Sequence, residues 1–464
     1  MIRATLAAAA LLAAPPLAAQ STTQEDLDAR YDRALAAGYK ALMLCSAIAN
    51  AELFGAKRSE ASVKNYELTG IYPTLDPIVR TLSHNVERGG DGVIDSVSVE
   101  WAGDMPPRVA LHKPDRGCSA LPIGADVPQP DSEIFARNGL RSDRFAFQQK
   151  GTAQDELAMT AFEGSYGADA RTTGVVILRN GRIVGESYGT DHGPLVPQRT
   201  WSVAKSIAAT LVGAAVQRGD IPDLVMENAA GRVSATVPGW QANGDPRAVI
   251  NIDHLLRMAS GRYSDTAGNR TDPVYWGGAT VDERAATWPL VNPPGTVFRY
   301  ANNDTLMAVK AIEETFEEHP PWQVLQQIGM DHTIPETDWQ GNFILSSQVW
   351  STARDLAKLG QLYLDDGVLP DGTRILPEGW LEYVSAPSGP QPDGPFGYGA
   401  GWWLFNKSEG VPPDTIAAMG NRGQYVVVVP SRDVVIVRRG EDPAGGSGFD
   451  IAAFTRDVLA ALGD

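Results

Sequence analysis

Two sets of β-rich runs lie far apart in the chain with mainly helical sequence between them, and this separation constrains the fold more than any other feature. The first set is Gly174 to Leu178 and Arg182 to Glu186, divided by Asn180-Gly181, a pair that accepts the left-handed backbone of a tight hairpin turn. The second is Trp402 to Phe405, Gln424 to Val429 and Val434 to Arg438, the last two divided by Pro430-Ser431-Arg432-Asp433. Helical spacing marks Ser202 to Gln217, His254 to Met258 and Thr352 to Leu364, with Thr352 as N-cap and Gly367 as stop. Shorter helical sequence precedes the first set at Asp155 to Phe162, and a final helix, Ile451 to Leu462, follows the second. The expected fold class is α+β: an antiparallel sheet built from N- and C-terminal strands, flanked by helices, with a mainly helical insert. A ligand cleft is expected where sheet and insert meet.

The chain upstream has a different organisation. Residues 1–19 combine a basic start, an Ala/Leu centre and small residues around Pro15-Pro16, which reads as a signal peptide cleaved after Ala19. Residues 20–130 form a small N-terminal helix-plus-hairpin region: a helix from Glu25 to Phe54, with a hairpin of an alternating run from Val93 to Trp101 and a short strand from Val109 to His112. Pro122, Pro128 and Pro130 mark its boundary with a domain spanning 131–464. The two cysteines, Cys45 and Cys118, are expected to form a disulfide in an exported, periplasmic or secreted protein.

Composition excludes several partners. The formal net charge of −17, without a basic run, excludes nucleic acid as a partner. The N-terminal apolar run is shorter than the about 20 residues of a membrane span and is broken by prolines, so no membrane span is expected. Six scattered histidines offer no ligand cluster, so neither a metal nor another cofactor is expected.

Ser202 and Lys205 stand one helical turn apart at the start of a helix read as amphipathic, with Val203, Ile207, Leu211, Val212 and Val216 inward. A hydroxyl there can attack a carbonyl, helped by free N–H groups at the helix start, if burial leaves the amine uncharged and able to take the proton. Tyr300 and Asn302, in an irregular turn, can supply a proton carrier and an amide donor. Asn421, Arg422, Gly423 and Gln424 are candidate substrate-binding residues: glycine at 423 would admit substrate to a strand edge, and the Gln424 N–H is a candidate oxyanion donor. Trp276, Trp288, Trp402 and Trp403 are expected near the cleft or in the core.

Ser202-Val203-Ala204-Lys205, Tyr300-Ala301-Asn302 and the turn ending at Gly423, in this order, resemble the three motifs of serine β-lactamases and penicillin-binding proteins. Leu255 to Gly261 and Tyr398-Gly399-Ala400-Gly401-Trp402-Trp403 make the chain most similar to the class C β-lactamase-like branch, which includes carboxylesterases and 6-aminohexanoate-oligomer hydrolases. The resemblance covers about residues 150 to 464. It implies Ser202 as nucleophile, Lys205 as general base, Tyr300 as proton relay, Asn302 as a substrate contact, and the Ser202 and Gln424 N–H groups as oxyanion hole. The third motif usually carries Lys or His where this chain has neutral Asn421, which cannot grip a substrate carboxylate directly. Arg422 could compensate only if it turned to the substrate face. The resemblance therefore implies an exported serine hydrolase of small amides or esters. A β-lactamase or D-Ala-specific peptidase, and a non-hydrolytic acylated binding or sensor module, remain open alternatives.

Overall fold

The computed structural model describes residues 22–126, 155–220, 235–242, 244–264, 271–444 and 448–463. The expected leader at 1–19, its cleavage point, and the boundary residues Pro128 and Pro130 lie outside the described residues.

Helix α1 spans Gln24–Leu53 and begins with a capping box: the Thr23 hydroxyl accepts from the Asp26 N–H, and the Asp26 carboxylate accepts from the Thr23 N–H. Instead of one buried face, every residue from Ala34 to Ala51 is buried. Its many alanines allow close packing all round. This helix is long and apolar enough to cross a bilayer, a feature the sequence reading did not single out, but its apolar stretch is enclosed by protein. The helices α2 (Glu60–Asn65) and α3 (Asp76–Val79) pack nearby. Four strands, β1 (His84–Arg88), β2 (Ile94–Val99), β3 (Arg108–Lys113) and β4 (Gly117–Ala120), form a consecutive antiparallel sheet against α1. The expectation of a two-stranded hairpin was thus too small: β1 is polar and β4 is four residues long, so neither shows apolar alternation. Cys45 of α1 and Cys118 of β4 are joined by a disulfide, with their Cα atoms 6.1 Å apart.

The second sheet has seven antiparallel strands: β5 (Thr172–Arg179) and β6 (Arg182–Tyr188) from one end of the domain, and β10 (Gly397–Tyr398), β11 (Trp403–Leu404), β12 (Ile416–Gly420), β13 (Gln424–Val429) and β14 (Val434–Gly440) from the other. Its order is β10-β11-β12-β13-β14-β5-β6, so β14 joins the distant halves, with Ile436 opposite Ile177. Asn180 and Gly181 turn β5 into β6 with φ of 50° and 68°.

Between the halves run α5 (Val203–Arg218), α6 (Ile252–Leu256), α7 (Asp272–Tyr275), α8 (Val281–Arg284), α9 (Asn302–Lys310), α10 (Pro321–Gln327), α11 (Ala353–Leu364) and α12 (Trp380–Ser385). A small sheet of β7 (Gln198–Arg199), β9 (Val349–Ser351) and β8 (Thr333–Pro335) lies among them. Helix α5 was expected to be amphipathic, but Val203 to Ala215 are all buried. Small residues Ala208, Ala209, Gly213 and Ala214 give it no polar face to expose.

One face of the seven-stranded sheet is covered by α13 (Ile451–Leu462) and α4 (Asp155–Met159), which enclose a smaller apolar cluster. The larger cluster runs without interruption from α1 through the helical insert. The ring of Trp276 takes Tyr39 at 5.0 Å and Tyr72 at 5.5 Å, while the buried Arg108 guanidinium donates to the carbonyls of Ala34, Leu121 and Trp276. Buried Glu336 accepts from the Cys118 N–H, the Asn50 amide and the Trp350 indole. These hydrogen bonds compensate polar groups that would otherwise be costly to bury.

Candidate active site

The chain leaves β7 through a sharp turn. Thr200 still pairs with Val349, and then Trp201 adopts φ of 50°, a left-handed conformation that is uncommon for a bulky residue. The buried guanidinium of Arg199 lies 3.7 Å above the Trp201 ring and bonds to Ser347, clamping the strained residue. Ser202 follows at the N-cap of α5, yet its hydroxyl makes no capping bond. It instead faces Lys205, one turn on, with Tyr300 beside them.

The Lys205 Nζ lies 3.2 Å from Ser202 Oγ, 2.5 Å from Asn302 Oδ1 and 2.9 Å from the Ser346 carbonyl oxygen. None of these partners carries a charge. A neutral amine has two N–H groups and one lone pair, which matches two acceptors plus the serine hydroxyl. Burial pushes the Lys205 amine down from its ordinary value to about 7, so it is largely neutral just above that pH.

The Tyr300 ring centroid lies 5.0 Å from Lys205 Nζ, and its hydroxyl faces Ser202. Burial pushes this phenol well above the ordinary tyrosine value, keeping it protonated. Trp403 and Tyr398 hold the ring, at 5.5 and 6.1 Å between centroids. Asn302 is the first residue of α9 rather than part of an irregular turn, and its amide donates to Thr271 Oγ1. Tyr275 completes this wall through a 2.8 Å hydrogen bond to Ser346 Oγ.

The third segment is rearranged relative to expectation. Gly423 does not open a strand edge to substrate: a Cβ there would collide with the Arg438 guanidinium and the Asp442 carboxylate. Gly420 approaches Ser202 instead, since a Cβ on it would lie 2.4 Å from the Thr200 carbonyl oxygen and 3.1 Å from the Ser202 nitrogen. Gln424 pairs with Gly420 across β12 and β13, while its side chain is held by the Gly440 carbonyl and the Arg439 guanidinium. Asn421 is partly exposed at the turn. Arg422, set among the substrate contacts by the sequence reading, points the opposite way: it is buried and ion-paired with Glu441 at 2.7 Å. The turn therefore presents no cation to the cleft.

Of the tryptophans, Trp403 borders the site through Tyr300, whereas Trp276 is buried beside Tyr39, Trp402 packs on Tyr363, and Trp288 packs on Tyr263. Gly420, Ser346, Thr271, Tyr275 and Tyr398 were missed in the sequence. The signal for Gly420 was present, as a glycine closing the short apolar run from Ile416 to Met419. A carbonyl acceptor such as that of Ser346 leaves no trace in residue type.

Among the described residues, no group of three or more His, Cys, Asp or Glu side chains is arranged to hold a metal ion. The Ser202 hydroxyl, the Lys205 amine and the Tyr300 phenol offer nucleophilic attack and proton transfer.

Residues 159–439 match a family model described as "Beta-lactamase". The chain is 26% identical over 295 residues to a 6-aminohexanoate-dimer hydrolase from Paenarthrobacter ureafaciens, covering 58% of this chain and 72% of the relative. It is 26% identical over 274 residues to penicillin-binding protein 4 from Amycolatopsis lactamdurans, covering 50% and 69% respectively. A solved structure described as a putative 6-aminohexanoate-dimer hydrolase from Bacillus anthracis superposes with a TM-score of 0.54 at 21% identity, over 68% of this chain and 86% of that one, which shows a shared fold.

Proposed function

The chain belongs to the beta-lactamase family, and from that premise we propose that it is a serine hydrolase cleaving a small amide or ester through an acyl-enzyme on Ser202. The observation that carries this reading is the environment of Lys205: a buried amine with two acceptors for its N–H groups and the Ser202 hydroxyl at its remaining position.

In the proposed reaction Ser202 Oγ bonds to the carbonyl carbon as its proton passes to Lys205 Nζ, and the carbonyl electron pair becomes an oxyanion. Backbone N–H groups at the start of α5 and at the mouth of the β12–β13 hairpin stabilise that charge. Collapse expels the amine or alcohol, which takes the proton from Lys205 by way of the Tyr300 hydroxyl. Water then attacks the acyl carbon and passes a proton to Lys205; as the tetrahedral intermediate collapses, Lys205 returns that proton to Ser202 Oγ and the acid is released.

Asn421 is neutral and Arg422 is turned away, so this reading disfavours substrates gripped by a carboxylate, as in penicillin recognition. It favours small amides and esters, the former being the class named for the Paenarthrobacter relative. We further propose export, supported by the leader-like sequence of residues 1–19 and the Cys45–Cys118 disulfide. Purified protein assayed on p-nitrophenyl esters, aminohexanoate-type amides and a chromogenic cephalosporin tests the assignment. Turnover of an ester or amide that disappears in Ser202→Ala supports it; cephalosporin turnover alone would replace it with β-lactamase activity.

A further inference from the structure

We propose that Arg422 is a positioning residue through which the N-terminal region fixes the backbone facing Ser202. This inference rests on the hydrolase reading above.

The turn between β12 and β13 has two sides. On the cleft side, Gly420 lies against the backbone of Thr200 and Ser202. On the opposite side, Arg422 adopts φ of 58° and drives its side chain into the protein, where it is 4% exposed as a residue. Residues 66–69 of the N-terminal region close on that guanidinium. Its Nη1 donates to the Glu67 carbonyl at 3.2 Å, and its Nη2 donates to the carbonyls of Tyr66 and Thr69 at 3.0 and 2.6 Å. These carbonyls lie in the turns that follow α2. Nε donates to the Asp442 carbonyl at 3.0 Å, and Glu441 supplies the counter-charge.

The platform is itself braced. Glu67 pairs with buried Arg58 at 2.7 Å, the Tyr39 hydroxyl of α1 donates to the Glu67 carbonyl, and the Ala444 N–H donates to the Gly70 carbonyl. A left-handed conformation at a non-glycine residue is retained where its surroundings over-determine it. Here the surroundings are supplied by residues 66–69, which lie outside the span matched by the family model. The planar guanidinium, with five donors in a fixed fork, can hold several carbonyls and a carboxylate at once; an ammonium cannot reproduce that geometry.

Arg422→Lys tests the proposal, with active sites titrated by a fluorophosphonate probe so that turnover is expressed per reactive Ser202. A misplaced oxyanion turn lowers kcat per titrated site by about 10-fold to 100-fold while KM changes little. A merely structural role lowers yield or Tm but leaves kcat per titrated site at the parent value, and that result overturns the proposal. If Arg422→Lys does not fold, the isosteric Glu441→Gln replaces it, with the same split between kcat and KM expected at smaller size. Ser202→Ala is run alongside: its inactivity with a normal Arg422→Lys rejects only the positioning role, whereas continued turnover by Ser202→Ala rejects the underlying hydrolase reading as well.

Discussion

A Cβ added to Gly420 would lie 3.1 Å from the backbone nitrogen of Ser202, and it would press harder still on the Thr200 carbonyl oxygen at 2.4 Å. Both contacts are with backbone, which cannot rotate away. Gly420→Ala is therefore expected to push the hairpin off the start of α5 and to lower kcat/KM by about 100-fold, the scale of losing one oxyanion donor. Ester turnover and thermal unfolding of the folded variant measure this. Parent-level activity would remove Gly420 from the site.

The pH profile follows from two shifts of opposite direction. Burial lowers Lys205 to about 7, and only its neutral form has a lone pair for the Ser202 proton. As pH falls through about 7, kcat/KM should therefore fall. Burial raises Tyr300, so its phenol should not ionise within the ordinary tyrosine range, and the alkaline plateau should extend past about pH 10. A profile flat across pH 7, measured with one ester at constant ionic strength, would separate Lys205 from proton transfer.

Tyr300→Phe keeps the ring that packs on Trp403 and Tyr398 and removes only the hydroxyl at Ser202. Amide turnover should fall by about 100-fold to 1000-fold, because an amine leaving group must be protonated as it departs. A p-nitrophenyl ester should suffer less, since nitrophenolate leaves without a proton. Equal losses on both substrates would contradict a proton relay to the leaving group.

The disulfide joins residues separated by 73 positions, so cutting it enlarges the unfolded ensemble. Replacing both Cys45 and Cys118 by Ser should lower stability by roughly 4 kcal/mol in the loop-entropy model. Denaturant unfolding of parent and double variant measures the difference. An unchanged midpoint would show that the core around α1 carries the N-terminal region without the bond.

Much of this arrangement was legible in residue patterns, and what escaped did so for identifiable reasons. The Asn180-Gly181 turn, the paired strands around it and the Thr352 cap are local signals, and each was read correctly. The first-turn spacing of Ser202 and Lys205 also predicted their contact. The wrong glycine was chosen in the third segment because Gly423 directly precedes the strongest β run, whereas β12 is short and its role depends on packing against Thr200. Arg422 was grouped with the substrate contacts although strand alternation already pointed it to the other face; its left-handed backbone, φ of 58°, is the part that no local pattern announces. The burial of α5 on every side was hidden because small residues read as weakly polar until both surfaces that enclose them are known.

The central claim is a covalent intermediate on one hydroxyl. Rapid acid quench during ester turnover, followed by intact-protein and peptide mass spectrometry, measures it directly. A single acyl group on the peptide containing Ser202, absent from Ser202→Ala, is the predicted result; turnover with no acyl group on that peptide, or an acyl group on another residue, contradicts the account.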